Sequence, residues 1–283
     1  MWSFQQNLRT QKLKQLINNQ NILITGASSG IGYSLAKHLA ASKAHVLLMA
    51  RREDLLHSLK QEIEDLGGKA SVYPCDLNDL NQVEEVAQQI LKDAGHIDIL
   101  INNAGRSIRR AVNESVDRFH DFERTIQLNY LGAVRLTLSL LPSMIERQSG
   151  HIINVSSIGV LAHPGRFSAY IASKSALDGF GKCLSAEVYR DNIDVTAVYM
   201  PLVRTPMIAP TDIYKKRPAL TPEQATDLIV KAILKRPKHV ITGFGLFTAF
   251  GHTIMPKFSR YIMAKEYQMY PSSNVAIGKQ AEP

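Results

Sequence analysis

Tyr170 and Lys174 stand four residues apart, so on a helix they share one face. Ser157 lies upstream, at the end of the apolar run 151–157. A phenol titrates near ~10 and is a poor acid at neutral pH. An ammonium at i+4 stabilises the phenolate and lowers that value. A tyrosine tuned this way exchanges a proton with a carbonyl oxygen while a hydride moves. The spacing recurs at Tyr33/Lys37 and Tyr261/Lys265. Tyr33 reads as one face of the first helix after a glycine-rich turn, and Tyr261 lies in the tail with no strand-end serine before it. Only Tyr170 has both the serine and a helical pattern after it (172–188), so context selects it.

The glycine-rich turn is Thr25-Gly-Ala-Ser-Ser-Gly-Ile-Gly32. It follows a short apolar run and opens a helical pattern. Glycines there allow a tight turn and the close approach of a diphosphate to a helix N-terminus. Gly26, Ser28, Ser29, Gly30, Ile31 and Gly32 are the expected cradle. The next apolar run ends at Ala50-Arg51-Arg52. Sites that prefer NAD place an acid there for the ribose 2′-hydroxyl, whereas arginines pair with a 2′-phosphate. Arg51 and Arg52 therefore predict NADPH. Asp76, followed by Leu77, is placed to meet the adenine. Asn103, Ala104 and Gly105 put small residues and backbone groups at the cofactor's edge.

Positioning these groups requires alternating strands and helices. Strands are expected at 21–25, 44–50, 70–74, 97–101, 151–155, 194–199 and 239–242. Helices are expected at 30–41, 53–66, from a cap at Asn78 to 91, 117–140, a short piece to 147, 168–189, and from a Thr221 cap to 234. Near-continuous apolar strands between helices imply a parallel sheet covered on both faces. The reading is α/β: a single doubly wound Rossmann-type sheet over 21–242, a helical lead-in over 1–20, and an apolar C-terminal extension over 243–283. In the lead-in, Leu8, Leu13, Leu16 and Ile17 suggest an amphipathic helix.

The 283 residues are 45% hydrophobic, enough for a sizeable core. Two cysteines, Cys75 and Cys183, form no disulfide framework and suggest a reducing compartment; each is expected to be buried. Neither a secretory leader nor a run of ~20 uninterrupted apolar residues is seen. A cytoplasmic location is expected, with peripheral membrane association through the extension as a further expectation. The net charge of +8 is spread along the chain without a nucleic-acid module, so no nucleic-acid partner is expected. His120 and His163 lack companions at metal-ligand spacing, and no metal is expected.

In order, TGASSGIG (25–32), CDL (75–77), NNAG (102–105), Asn129 in Gln-Leu-Asn-Tyr, Ser157, Tyr170-Ile-Ala-Ser-Lys174 and the 201–205 segment resemble the short-chain dehydrogenase/reductase family over 21 to about 242. The resemblance implies that Tyr170 donates the proton and that Lys174 binds the nicotinamide ribose and tunes Tyr170. It implies that Ser157 bonds the substrate oxygen and that Asn129 holds a water linking Lys174 to solvent. Pro201, Val203 and Thr205 are implied around the carboxamide. The family usually has Pro-Gly where this chain has Pro201-Leu202. Dimers or tetramers through the helices near 117–140 and 168–189 are implied too.

A narrower likeness covers 102–135, 152–178, 199–212 and the Met269-Tyr-Pro-Ser-Ser stretch. These segments resemble the bacterial fatty acyl-CoA reductases, NADPH-dependent enzymes that make fatty aldehydes for wax esters. A fatty acyl-CoA substrate is implied by that likeness alone. CoA is polyanionic, and Arg109 and Arg110, after the NNAG turn, are expected to contact it; Lys215, Lys216 and Arg217 form a second basic cluster. The apolar residues from Phe244 to Ile262 are expected to line the substrate cleft, rest on a membrane, or pack on the core or a sister subunit. Two other readings stay open: a carbonyl reductase acting on ketones, aldehydes or 3-oxoacyl thioesters, and a non-catalytic NADP(H)-binding protein. Acyl transfer through a cysteine is a rival mechanism.

Overall fold

The structure is a computed structural model that describes residues 2–209 and 211–270, apart from the side chains of residues 2–7, 9, 212 and 216. The chain runs α1 (Trp2–Ile17), β1 (Asn21–Thr25), α2 (Gly30–Ala40), β2 (His45–Ala50), α3 (Glu53–Asp65), β3 (Lys69–Pro74), α4 (Leu80–Ala94) and β4 (Ile99–Asn102). Next come α5 (His120–Ile126), a π-helical turn (Gln127–Leu131), α6 (Gly132–Glu146), β5 (Gly150–Ser157), α7 (Gly159–Ala162), α8 (Ser168–Glu187) and β6 (Ile193–Met200). After a loop follow α9 (Pro222–Lys235), β7 (His239–Val240), α10 (Gly243–Ile254) and α11 (Pro256–Met269).

The seven strands form one parallel sheet in the order β3-β2-β1-β4-β5-β6-β7. The strand order reverses between β1 and β4, which opens a crevice at the carboxyl edge there. Both faces are covered. Ile22 and Ile24 of β1 join a core with α2, α3 and α9, while Leu23 joins the other core with α4, α6 and α8. The expected doubly wound sheet is thus the architecture observed.

Several local expectations change. The helix expected over 117–140 starts at His120 and is interrupted by the π turn. It then continues past Pro142 to Glu146 rather than breaking at Leu140. Proline lacks the N–H that would bond the Leu138 carbonyl, and both residues are exposed, which leaves that carbonyl on the solvent side of the helix. By length and composition His120–Glu146 is long and apolar enough to cross a membrane. Here it is a layer of the fold, packed on α4 and α8. In α1, Leu13 and Ile17 are buried but Leu8 and Leu16 are exposed, so only part of the expected stripe docks.

The cap of α4 is Asp79, not Asn78. Asp79 Oδ1 accepts from the backbone N–H groups of Asn81 and Gln82, both at 3.1 Å. Asn78 instead donates to Asp76, its Nδ2 lying 2.6 Å from Oδ1. Asp79→Ala should therefore cost about 1 kcal/mol of unfolding free energy in denaturant titrations. Asn78→Ala should cost under about 0.5 kcal/mol; the reverse order would restore Asn78 as the cap.

Candidate active site

The crevice holds a cavity of about 490 Å³ that reaches from the start of α2 to Tyr170. β1 delivers the turn at residues 26–29. Gly26 and Gly30 have φ of +69° and +58°, a region that favours glycine. A Cβ on Gly26 would lie 2.9 Å from the Ala104 Cα, and one on Gly30 would lie 3.1 Å from the Thr205 methyl. The turn is held against the loop after β4 by Thr25, whose Oγ1 accepts from the N–H groups of Asn103 and Ala104 at 3.0 Å. Asn103 Nδ2 donates back to the Thr25 carbonyl at 2.9 Å. Ser29 makes no side-chain capping bond to α2. The first-turn N–H groups of α2 are thus left to an anion, and a dinucleotide diphosphate fits this bare backbone.

At the end of β2, Arg52 Nη2 lies 3.1 Å from Ser28 Oγ and 3.2 Å from Ser29 Oγ. Arg51 Nη1 lies 3.8 Å from Asp76 Oδ2. These pairs gather two guanidinium groups and one carboxylate at the turn's outer edge, and all of them line the cavity.

Four chain segments assemble the reactive end. β5 ends at Ser157, whose Oγ accepts from the Gly159 N–H at 3.1 Å. Helix α8 presents Tyr170 and Lys174 one turn apart. Lys174 is buried, and its Nζ donates to the Val155 carbonyl at 2.8 Å. Asn129 sits in the π turn, fully buried. Its Oδ1 accepts from Arg106 N at 2.7 Å, and its Nδ2 donates to Arg106 O and Ser173 Oγ, both at 2.9 Å. These bonds tie the loop after β4 to α8. Gly105 leaves a gap beside both groups: a Cβ there would lie 3.2 Å from Asn129 Oδ1 and 3.3 Å from Lys174 Nζ.

Burial dominates the electrostatics of the pair. Burial lowers the Lys174 ammonium to about 8. Burial also raises the Tyr170 phenol, and the hydrogen bond to Ser157 partly opposes it. Beside the Tyr170 phenol, Ser157 acts in the direction that favours the phenolate. The Lys174 ammonium is turned to the Val155 carbonyl.

The other two Tyr-x-x-x-Lys pairs lie outside the cavity. Tyr33 and Lys37 both bond Glu62, and Tyr261 is exposed on α11. Cys75 is buried beside the cavity, its thiol pushed up to about 12 by burial and the nearby Asp76 and Asp79. Cys183 is exposed and does not line the cavity, contrary to the expected burial. Neither supplies a thiolate at the reactive end.

Of the expected cofactor residues, Gly32 alone does not line the cavity; it lies within α2 and packs on the Gly26 carbonyl. Pro201, Val203 and Thr205 line it, and Leu202 needs no glycine. Its φ is not positive, and its carbonyl accepts from the Leu220 N–H at 2.9 Å.

Arg109 lines the cavity and donates from Nη2 to the Tyr270 carbonyl at 2.8 Å. Arg110 is a correction: it is buried, and its Nε pairs with Asp121 at 2.9 Å. A buried carboxylate needs such a partner, so Arg110 is structural. The partners that join Arg109 instead are Arg166 and Arg217. The three arginines line a second cavity, of about 120 Å³, that shares Arg109, Pro164, Phe167 and Tyr214 with the first. Sequence reasoning missed Arg166 and Tyr214, which no motif marks. The apolar residues of α10 and α11 do not line the main cavity, so the expected role of 244–262 in the cleft is not observed. The Met269-Tyr-Pro-Ser-Ser likeness lies outside the described residues from position 271 on.

The short chain dehydrogenase family profile matches residues 20–215. The chain belongs to this family. A fatty acyl-CoA reductase of Acinetobacter baylyi is 57% identical over 267 residues, spanning 94% of this chain and 90% of that protein. A fatty acyl-CoA reductase of Mycobacterium tuberculosis is 45% identical over 225 residues, 79% of this chain and 76% of that one. The crystal structure of a short-chain dehydrogenase from Streptomyces avermitilis superposes with a TM-score of 0.75 at 29% identity, covering 89% of this chain and 99% of that one. As a member of the short-chain dehydrogenase family, the protein is an oxidoreductase that uses a nicotinamide dinucleotide.

The depressed Lys174 value has a consequence for stability. Between about 8 and the ordinary lysine value, the unfolded chain binds the proton that the folded chain has released. Stability of the cofactor-free protein, measured against Lys174→Met, should therefore rise with pH across that window. A flat difference would mean that Lys174 is not desolvated as described.

Proposed function

We propose that this chain is an NADPH-dependent reductase that converts long-chain fatty acyl-CoA to fatty aldehyde and free CoA. The observation that carries the reading is the likeness to the Acinetobacter baylyi reductase along nearly the whole chain. The assembled Asn129, Ser157, Tyr170 and Lys174 support it.

Bound at the glycine turn and Arg51 and Arg52, NADPH would supply the hydride. Ser157 and Tyr170, which both line the cavity, receive the acyl oxygen. As hydride adds to the acyl carbon, that oxygen gains the electron pair of the C=O bond, and the two hydroxyls stabilise it. Tyr170 donates the proton, giving a hemithioacetal. On collapse the C–S bond breaks, the oxygen's proton returns to the tyrosine, and the sulfur leaves as CoA thiolate. Thiolate is a good leaving group, so no enzyme thiol is required. The high Cys75 value and the position of Cys183 fit that economy. Lys174 holds a positive charge one helical turn from Tyr170 and fits the nicotinamide ribose hydroxyls.

Arg109, Arg166 and Arg217 suit the phosphates of CoA, because they come together at the cavity mouth. Arg51 and Arg52 suit the 2′-phosphate of NADPH, since no acid stands at the end of β2. The exposed stripe Leu131, Leu138 and Ile145 on the α5–α6 helix offers a surface for a homodimer or homotetramer.

Incubation with palmitoyl-CoA and NADPH should release fatty aldehyde and CoA in equal amounts. Tyr170→Phe should lower that rate by about 10²–10⁴-fold while NADPH still binds. Arg109→Ala should raise KM for palmitoyl-CoA more than for a free aldehyde. Reduction of a 3-oxoacyl thioester without aldehyde release would transfer the site to the carbonyl-reductase reading. For the cofactor, Arg51→Ala with Arg52→Ala should weaken NADPH by about tenfold or more and leave NADH nearly unchanged. Equal losses for both cofactors would remove the 2′-phosphate assignment.

A further inference from the structure

The C-terminal helices are turned inside out relative to a soluble surface helix. In α10, Leu246, Phe247, Phe250 and Ile254 recur at helical spacing and are 54–76% exposed. In α11, Phe258, Tyr261 and Met269 form a second exposed stripe. The inward sides are small. Gly245 is buried against Ile158 and Ile241, and Ser259 is buried beside Gly251. α10 and α11 pack on each other and α10 packs on α7, so these large side chains are left outside an ordered hairpin. Contiguous apolar surface of this kind marks an interaction face.

Charge identifies what covers it. Between Gly243 and Met269 the lysines and arginines are Lys257, Arg260 and Lys265, all exposed. The one acid in that stretch, Glu266, is paired to Arg217 at 2.6 Å. Lys265 stands within the α11 stripe, where its stem can lie along apolar surface and its ammonium reach outward. Cores of protein–protein interfaces are depleted in lysine. Aromatic and aliphatic stripes set among basic side chains match the boundary of an anionic bilayer.

We infer that α10 and α11 dock the protein on an anionic lipid surface, with Phe247, Phe250 and Phe258 inserted and Lys257, Arg260 and Lys265 at the headgroups. The hairpin adjoins the reactive end. Gly245 packs on Ile158, which follows Ser157 and lines the main cavity. Tyr267 and Tyr270, at the far end of the hairpin, line the smaller cavity that contains Arg109. If the substrate is the acyl-CoA proposed above, docking brings the bilayer that dissolves its chain beside the cavity mouth.

Vesicle flotation of the full chain tests the inference without any turnover, so its failure leaves the acyl-CoA reading standing, and the reverse. The chain should float with vesicles of phosphatidylglycerol and phosphatidylcholine, and at least about tenfold less with phosphatidylcholine alone. The combined variant Phe247→Ser, Phe250→Ser, Phe258→Ser should lose about tenfold or more of the binding, with an unchanged melting temperature. These side chains are exposed, so the fold does not need them. Lys257→Glu with Arg260→Glu, which leaves the rings in place, should lose binding to the anionic vesicles by a similar factor. Failure of the full chain to float would overturn the inference, as would flotation that neither variant alters. A chain that sediments as a dimer, becomes monomeric in the serine variant and ignores vesicles would assign the face to a second copy instead.

Discussion

A lysine ammonium withdrawn from water is the constraint around which this site is built. Moving such a charge inside costs several kcal/mol unless polar groups meet it. Here the Val155 carbonyl meets Lys174 directly, at the end of the strand that carries Ser157. That bond fixes α8 against β5 and so sets how Ser157 and Tyr170 stand to each other at the cavity. The π turn solves a second part of the problem. It places Asn129 where one amide can bond the loop after β4 and Ser173 of α8 together. A π bulge adds a residue to the helix and is often kept at functional sites for such re-aiming.

The same economy governs the cofactor end. Thr25 and Asn103 lace β1 to the loop after β4, and the glycine turn lies flat against that loop because no side chain intervenes. What remains at the crevice is backbone N–H, hydroxyl and guanidinium, groups that suit phosphate, with the Asp76 carboxylate beside them. The far side of the cavity has a different character, with Ile158, Phe167, Ile171 and Met200 forming apolar wall. The cavity thus joins a polar cradle at one end to an apolar wall at the other.

Much of this was legible in the chain. The apolar run 21–25 is bounded by polar residues and by glycine, and β1 has those limits. The glycine turn, the strand-end Ser157 and the Tyr170–Lys174 pair depend on contacts within a few residues, so spacing read with its sequence context carries them. Other features were not legible because their causes lie far along the chain. Arg109 and Arg110 are neighbours with opposite fates: one lines the cavity, while the other answers the buried carboxylate of Asp121. Arg166 carries no motif and reaches the mouth only because the end of α11 folds back over it, its Nε 2.9 Å from the Tyr270 carbonyl. Asn78 and Asp79 are both good caps by residue type, and the choice fell to Asp79 once Asp76 had engaged Asn78.

The sequence by itself determined the order of strands and helices, the bare turn for a diphosphate, and the side chains able to move a proton. These follow from periodicity, turn chemistry and short spacings, which are local. Tertiary structure decided which of three identical tyrosine–lysine spacings entered the cavity and which arginines converged on its mouth. It also set which groups were buried and which face of the last helices met solvent. Burial and charge pairing are properties of distance in space, and the chain acquires those distances only when the sheet is assembled.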